Sequence, residues 1–340
     1  MVKMRFAVNL GTGDLYKAEN LMLMKQLGCT DVIGTGPRTD SEVWEYGDLV
    51  ELKRRVESFG LRLEVFEDAP GHHKVFYNLP DRDEQLENFC KSLENLGAVG
   101  IKVVKLTHGP NIPNRVWRTD RDKPTRGGAT STAFDPDLVK DVPPTAKYGA
   151  YTEEQIWENL AHFLRGVLPT AEKAGVRIAM HPDDPPLSSV HLAFPRILTS
   201  VEAFDRMLEI YPSENIGLLF CQGCFSEMGV DIPTAIRHFG KKKKIFFVHF
   251  RKVKGSVKEP GGFQEIFHDD PAGTDMFEAM KTYYEVAFYG PMRPDHAPRM
   301  QGDERFGGSL EKILAIGYMK GLAESIEKIY YPNEYTTTLA

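Results

Sequence analysis

Four β-rich runs in the second half of the chain end in side chains that bind metal ions. "RIAMHPDD" ends at His181, "GLLFCQG" at Cys221, "FFVHFRK" at His249 and "GPMRPDH" at Asp295, with His296 directly beside it. Singly these residues carry little weight, because a histidine after a strand is more often a hydrogen-bonded surface or core group and a buried cysteine usually acts as a small hydrophobe. Four in succession point to one shared site. Two imidazoles, a thiolate and a carboxylate suit Zn²⁺, Fe²⁺, Co²⁺, Ni²⁺ or Mn²⁺, with the thiolate leaning away from manganese. Open coordination positions would make such an ion a Lewis acid and not a structural clasp. "CQGC" also fits a redox pair or half of a zinc site. No second C-x-x-C follows, and Cys29 and Cys90 fall in or near early helical runs, so Cys221 is preferred as a strand-end ligand and Cys224 as structural.

Residues so far apart can meet only if the fold gathers strand ends. Eight runs have strand character: 4–10, 30–35, 61–67, 101–107, 176–181, 216–221, 245–250 and a weak one at 289–295, interrupted by Pro291 and Pro294. Helix-period stretches such as "DEQLENFCKSLENLG" and "EEQIWENLAHFLRGVLPTAEKAG" lie between them. Eight strand–helix units in a row predict a (β/α)₈ TIM barrel, one domain over residues 1–340, in which the C-terminal strand ends share one mouth. The Pro-, Gly- and charge-rich segment 108–151 breaks the rhythm after the fourth strand and is expected as a long loop covering that mouth. Lys105, Thr107 and His108 close the fourth strand and are candidates for a substrate hydroxyl or carboxylate. "HH" at 72–73 reads as plain loop, and "KKKK" at 241–244, preceding a strand, as a solvated N-terminal face.

Composition excludes several classes. The hydrophobic fraction is 41%, the charged fraction 26% and the net charge -6, so there is no basic field for nucleic acid. No apolar run approaches a membrane span, and no signal-like apolar run opens the chain. Four cysteines without a disulfide-framework pattern suggest a reducing cytoplasm. Homo-oligomer formation is left open.

With these residues in view, the chain resembles the mannonate dehydratases, metal-dependent enzymes with a xylose isomerase-like barrel. The likeness runs through "SEVW", "WRTD", "GGATSTAFD", "HPDDPP", "GLLFCQG", "VHFRKVK", "FHDD" and "MRPDHA". It implies His181, Cys221, His249 and Asp295 as Mn²⁺ ligands, with His296 as an acid–base group. It also implies a sugar-acid substrate, D-mannonate, dehydrated to 2-keto-3-deoxy-D-gluconate in hexuronate breakdown. Arg293, Arg251 or Arg118 is expected to fork the substrate carboxylate. The chain departs from the family pattern where "EKILAIG" places Ile313 at the position of a family tyrosine, and where the fourth strand ends "KLTHGP". These departures keep two alternatives open: a sugar or sugar-acid isomerase or epimerase on the same barrel, and a non-catalytic sugar-acid binder.

Overall fold

Local sequence signals set the element boundaries. The computed structural model describes residues 4–9, 15–38, 41–107, 118–139, 149–187, 195–306 and 308–332. In chain order these form β1 (Arg5–Phe6), α1 (Ala18–Gln26), β2 (Asp31–Gly34), α2 (Tyr46–Glu57), β3 (Arg62–Phe66), the short α3 (His73–Phe76), α4 (Arg82–Val99) and β4 (Val103–Thr107). Then come β5 (Asp120–Pro124), β6 (Thr130–Phe134), α5 (Glu153–Ala174), β7 (Arg177–His181), α6 (Val201–Ile210), β8 (Ile216–Cys221), α7 (Gln222–Glu227) and α8 (Ile232–Lys241). The last elements are β9 (Ile245–His249), β10 (Val253–Gly255), β11 (Phe263–Glu265), α9 (Met276–Glu285), β12 (Pro291–Arg293) and α10 (Leu310–Tyr330).

Helix α5 shows how the boundaries arise. Thr152 accepts from the Gln155 amide while the Gln155 side chain accepts from the Thr152 amide, a reciprocal capping box. Gly175, at φ 67°, ends the helix in the left-handed region that glycine adopts freely. Between the caps, Ile156, Leu160, Phe163, Leu164, Val167 and Ala171 recur every three or four residues and are buried.

Eight parallel strands form one sheet in the order β1-β12-β9-β8-β7-β4-β3-β2. The ring closes where the Thr30 amide donates to the Phe6 carbonyl at 2.9 Å and the Phe6 amide to Thr30 Oγ1 at 3.3 Å. All of β8 and β9 is buried, as parallel strands covered on both faces require. The architecture is a TIM barrel. Its interior is a packed layer of Ala7, Ile33, Val65, Val103, Ala179, Leu219 and Phe247, distinct from the larger cluster under the helices. Side chains alternate faces along a strand, so the residues two places on from several of these, Glu67, Lys105, His181, Cys221 and His249, continue the inward-facing rows to the C-terminal mouth. Cys221 is in register with His249, and His249 with Arg293.

The expected loop at 108–151 is partly ordered β-structure. Strands β5 and β6 form a hairpin turned by Gly127 and Gly128, both at positive φ, and β6 pairs with β11 to complete a four-stranded antiparallel sheet, β10-β11-β6-β5. Edge strand β5 is largely exposed and carries charges and Pro124, which hid it from a periodicity reading. Residues 108–117 and 140–148 of that segment, including His108, lie outside the described residues. "KKKK" does precede β9, with Lys241–Lys243 exposed, whereas Lys244 donates to the Ile216 carbonyl at 3.1 Å. "HH" is not a plain loop: His72 precedes α3 and packs edge-on against Phe76, and His73 begins the helix.

Candidate active site

Strand register brings three of the four expected ligands together. One ligand atom each from His181, Cys221 and His249 lies within 4.8 Å of the others. Asp295 belongs to a second triad, with Glu67 and His249, so His249 is shared. Its Nδ1 is 3.4 Å from Asp295 Oδ2 and its Nε2 is 3.0 Å from Glu67 Oε1, yet neither buried nitrogen meets hydrogen-bond geometry. Buried polar atoms left this way are costly unless another partner satisfies them. His181 instead places Nδ1 2.6 Å from the Pro182 carbonyl, which leaves Nε2 as the nitrogen that could bind a metal.

Ionisation prepares the cluster for a cation. Burial pushes the Cys221 thiol up, but the neighbouring Cys224, His181 and His249 outweigh it and hold the group well below its ordinary value. The neighbouring Cys224 is driven well above, by burial and by Cys221 itself, so one sulfur is a thiolate and the other its thiol donor. Burial opposes a charge on His249, but Asp295 and Glu67 lift it to about 10. Asp295 and Glu67 are themselves held well below the carboxylate range against burial, Asp295 by His249, His296 and Arg293 and Glu67 by Arg293 and His249. Soft sulfur, imidazole and carboxylate within a few ångströms form a donor set suited to a divalent transition metal.

Beside this cluster lies a second one in which the cations are built in. Arg251, wholly buried, donates from Nη2 to Glu227 Oε1 at 2.6 Å and Glu265 Oε1 at 2.7 Å, and from Nη1 to Asp184 Oδ2 at 3.0 Å. Arg118 donates to Asp184 through both terminal nitrogens, at 2.5 and 3.0 Å, and to Glu265 at 3.1 Å. Asp184 is held well below the usual range despite burial by Arg118 and Arg251, whereas burial and Asp184 push Glu227 well above. Two guanidinium groups therefore face two carboxylates and one neutral acid. Arg118 and Arg251 were expected to fork a substrate carboxylate, but their side chains have no exposed surface and are held within the protein. Arg293 is similarly engaged by Glu67 and by Asp295 Oδ1. Lys105 is the more open cation, its side chain 20% exposed and its Nζ 3.9 Å from Glu67 Oε1.

His296 stands where the two clusters meet. Its side chain is 35% exposed, with Nδ1 2.9 Å from Glu265 Oε1 and Nε2 3.7 Å from Asp295 Oδ1. Burial lowers its basicity, but Asp295 and Glu265 more than compensate and raise it. Ile313 is packed against the helical core within α10. Tyr318 lines a separate cavity of about 50 Å³ with His268, Asp269 and Glu311.

The family model for D-mannonate dehydratase matches residues 3–147 and 144–333. The chain belongs to the mannonate dehydratase family. It is 34% identical to the mannonate dehydratase of Thermotoga maritima over 323 residues, 85% of this chain and 88% of that one. It is also 34% identical to the Streptococcus equi subsp. zooepidemicus enzyme, covering 84% of each. The crystal structure of mannonate dehydratase from Streptococcus suis serotype 2 superposes with a TM-score of 0.83 at 31% identity, over 96% of this chain and 95% of that one. A 3-keto-D-glucoside 4-epimerase from E. coli, at 12% identity and TM-score 0.59, covering 94% of this chain and all of that one, shares the fold alone.

Sequence reasoning missed Glu67, Asp184, Glu227 and Glu265. The signal for Glu67 was present, since "LRLEVFE" ends on it as the later runs end on their ligands.

Proposed function

We propose that the protein dehydrates D-mannonate to 2-keto-3-deoxy-D-gluconate with Mn²⁺ held by His181, Cys221 and His249 and by Asp295 beside them. The observation that carries this reading is the His181–Cys221–His249 triad, Cys221 and His249 buried and His181 half-buried, with a partly exposed His296 at its edge. A divalent cation in that donor set supplies Lewis-acid stabilisation of the negative charge that develops when the proton α to a carboxylate leaves. The chain's own groups do the rest. Lys105, facing the mouth, attracts the substrate carboxylate. His296 moves a proton, as the departing 3-hydroxyl must gain one to leave as water. Glu67 and Asp295 hold Arg293 and His249 in place. Family membership favours water loss over the isomerase or epimerase alternative. Four free cysteines suit a reducing, cytoplasmic setting, and no helix among the described residues is long and apolar enough to cross a membrane.

The test is product identity. Protein reconstituted with Mn²⁺ and given D-mannonate should yield a 2-keto-3-deoxy acid lighter than substrate by one water. A product of unchanged mass would favour isomerisation, and tight binding without turnover across C5 and C6 aldonates a non-catalytic role.

A further inference from the structure

We propose that Glu265 is a positioning residue that fixes Nε2 of His296 as the atom that gives and takes the proton. The inference rests on His296 being the acid–base group of the reading above. Glu265 belongs not to the barrel but to β11, at the end of a strand in the sheet lying beyond it. A single oxygen, Oε1, lies 2.7 Å from Arg251 Nη2, 3.1 Å from Arg118 Nη2 and 2.9 Å from His296 Nδ1.

Two guanidinium groups on one carboxylate keep it ionised, and an ionised carboxylate only accepts hydrogen bonds. Nδ1 of His296 must then be the donor, because the opposite tautomer would set a nitrogen lone pair against the carboxylate oxygen. The consequence holds in both protonation states of the ring. Nδ1 keeps its proton throughout, so any proton passed to or from substrate travels through Nε2, the nitrogen on the Asp295 side.

The backbone holds Glu265 in place independently of its charge partners. Ser131 Oγ donates to the Glu265 carbonyl at 2.7 Å, Gln264 Nε2 donates to Ser131 Oγ at 3.1 Å, and Phe263 and Gln264 pair with Phe134 and Ala133. The acid–base histidine is thereby oriented by a wall made of two chain segments that are inserted between barrel elements.

Histidine-labelled, metal-free protein tests this by long-range ¹⁵N–¹H correlation at a pH where the ring is neutral, with His296→Asn identifying the His296 signals. The expected result is a proton on Nδ1; a neutral ring protonated at Nε2 overturns the proposal. Glu265→Gln, whose amide can donate as well as accept, should yield a tautomer mixture, and Glu265→Asp should restore the Nδ1–H form. With D-mannonate, Glu265→Gln should lower kcat ~10- to 100-fold, the size typical of such outer supports, with KM little changed. Unchanged kcat in folded Glu265→Gln protein also overturns it. If the protein proves not to dehydrate mannonate, the tautomer measurement still decides, because it needs no turnover.

Discussion

Two adjacent clusters at the barrel mouth contain similar ligand atoms at similar spacing and meet opposite electrostatic ends. His181, Cys221 and His249 come within 4.8 Å of one another, and so do Asp184, Cys224 and Glu227. The second group is filled by Arg118 and Arg251, whose guanidinium nitrogens sit 2.5–3.0 Å from the oxygens of Asp184 and Glu227. In the first, among the described residues, no arginine donates to the ligand atoms, and the positive charge sits on His249 itself, between Glu67 at 3.0 Å and Asp295 at 3.4 Å. Proximity of ligand atoms is thus a poor guide to a metal site until the local charge has been counted. Even two cysteines three residues apart divide this way: Cys221 as thiolate in one cluster, Cys224 as thiol in the other.

Breaking the filled cluster should have the largest effect. Arg251→Ala strands buried carboxylates, and the metal-free protein should lose about 3–5 kcal/mol of stability in urea unfolding, the usual result of removing one partner from a buried ionic group. A loss below 1 kcal/mol would show that the cluster does not depend on its built-in cation. At the boundary, His296→Asn should keep the metal and lower kcat by about 10²–10⁴-fold. Full activity in that variant would remove His296 from proton transfer. On the other side, Cys221→Ala should weaken metal binding by at least about 10²-fold while altering metal-free stability by only about 1 kcal/mol. Undiminished metal content by elemental analysis would overturn the triad.

A pH series sharpens the contrast further. His249 lies at about 10, above its ordinary 6.5, so the stability its charge contributes to metal-free protein is complete below 6.5 and is lost as pH rises through 10. A metal requires the neutral ring, and binding must displace that proton. Affinity should therefore climb about tenfold per pH unit between about 7 and 9, read by chelator competition. A flat profile would mean that Asp295 and Glu67 do not charge His249.

The barrel and the convergence of His181, Cys221 and His249 were legible in the sequence because both follow from local rules. Alternation along β7, β8 and β9 carries Ala179 to His181, Leu219 to Cys221 and Phe247 to His249 on one face, so a strand-end residue two places after an interior one points to the mouth. Glu67 obeys the same rule after Val65, at the end of a strand in the first half of the barrel and apart in sequence from the last four. The filled cluster follows no local rule. Arg118 finds Asp184 66 residues away and Glu265 147 residues away, and no spacing announces such pairs. Strands β10 and β11, three residues each, are too short to show a period. A guanidinium in a motif does not reveal its burial, so the ion pairs of Arg118 and Arg251 appear only in the fold.

The small sheet also has a consequence for how the molecule assembles. Strand β6 awaits a partner in β11, and Ser131 bonds to a residue 134 positions later in the chain. During N-to-C synthesis the hairpin of β5 and β6 emerges long before the strand that pins it, so the wall bearing Glu265 is a late-forming unit of high contact order. A nascent chain ending after β9 would hold the His181–Cys221–His249 triad and still lack Glu265, Asp295 and His296.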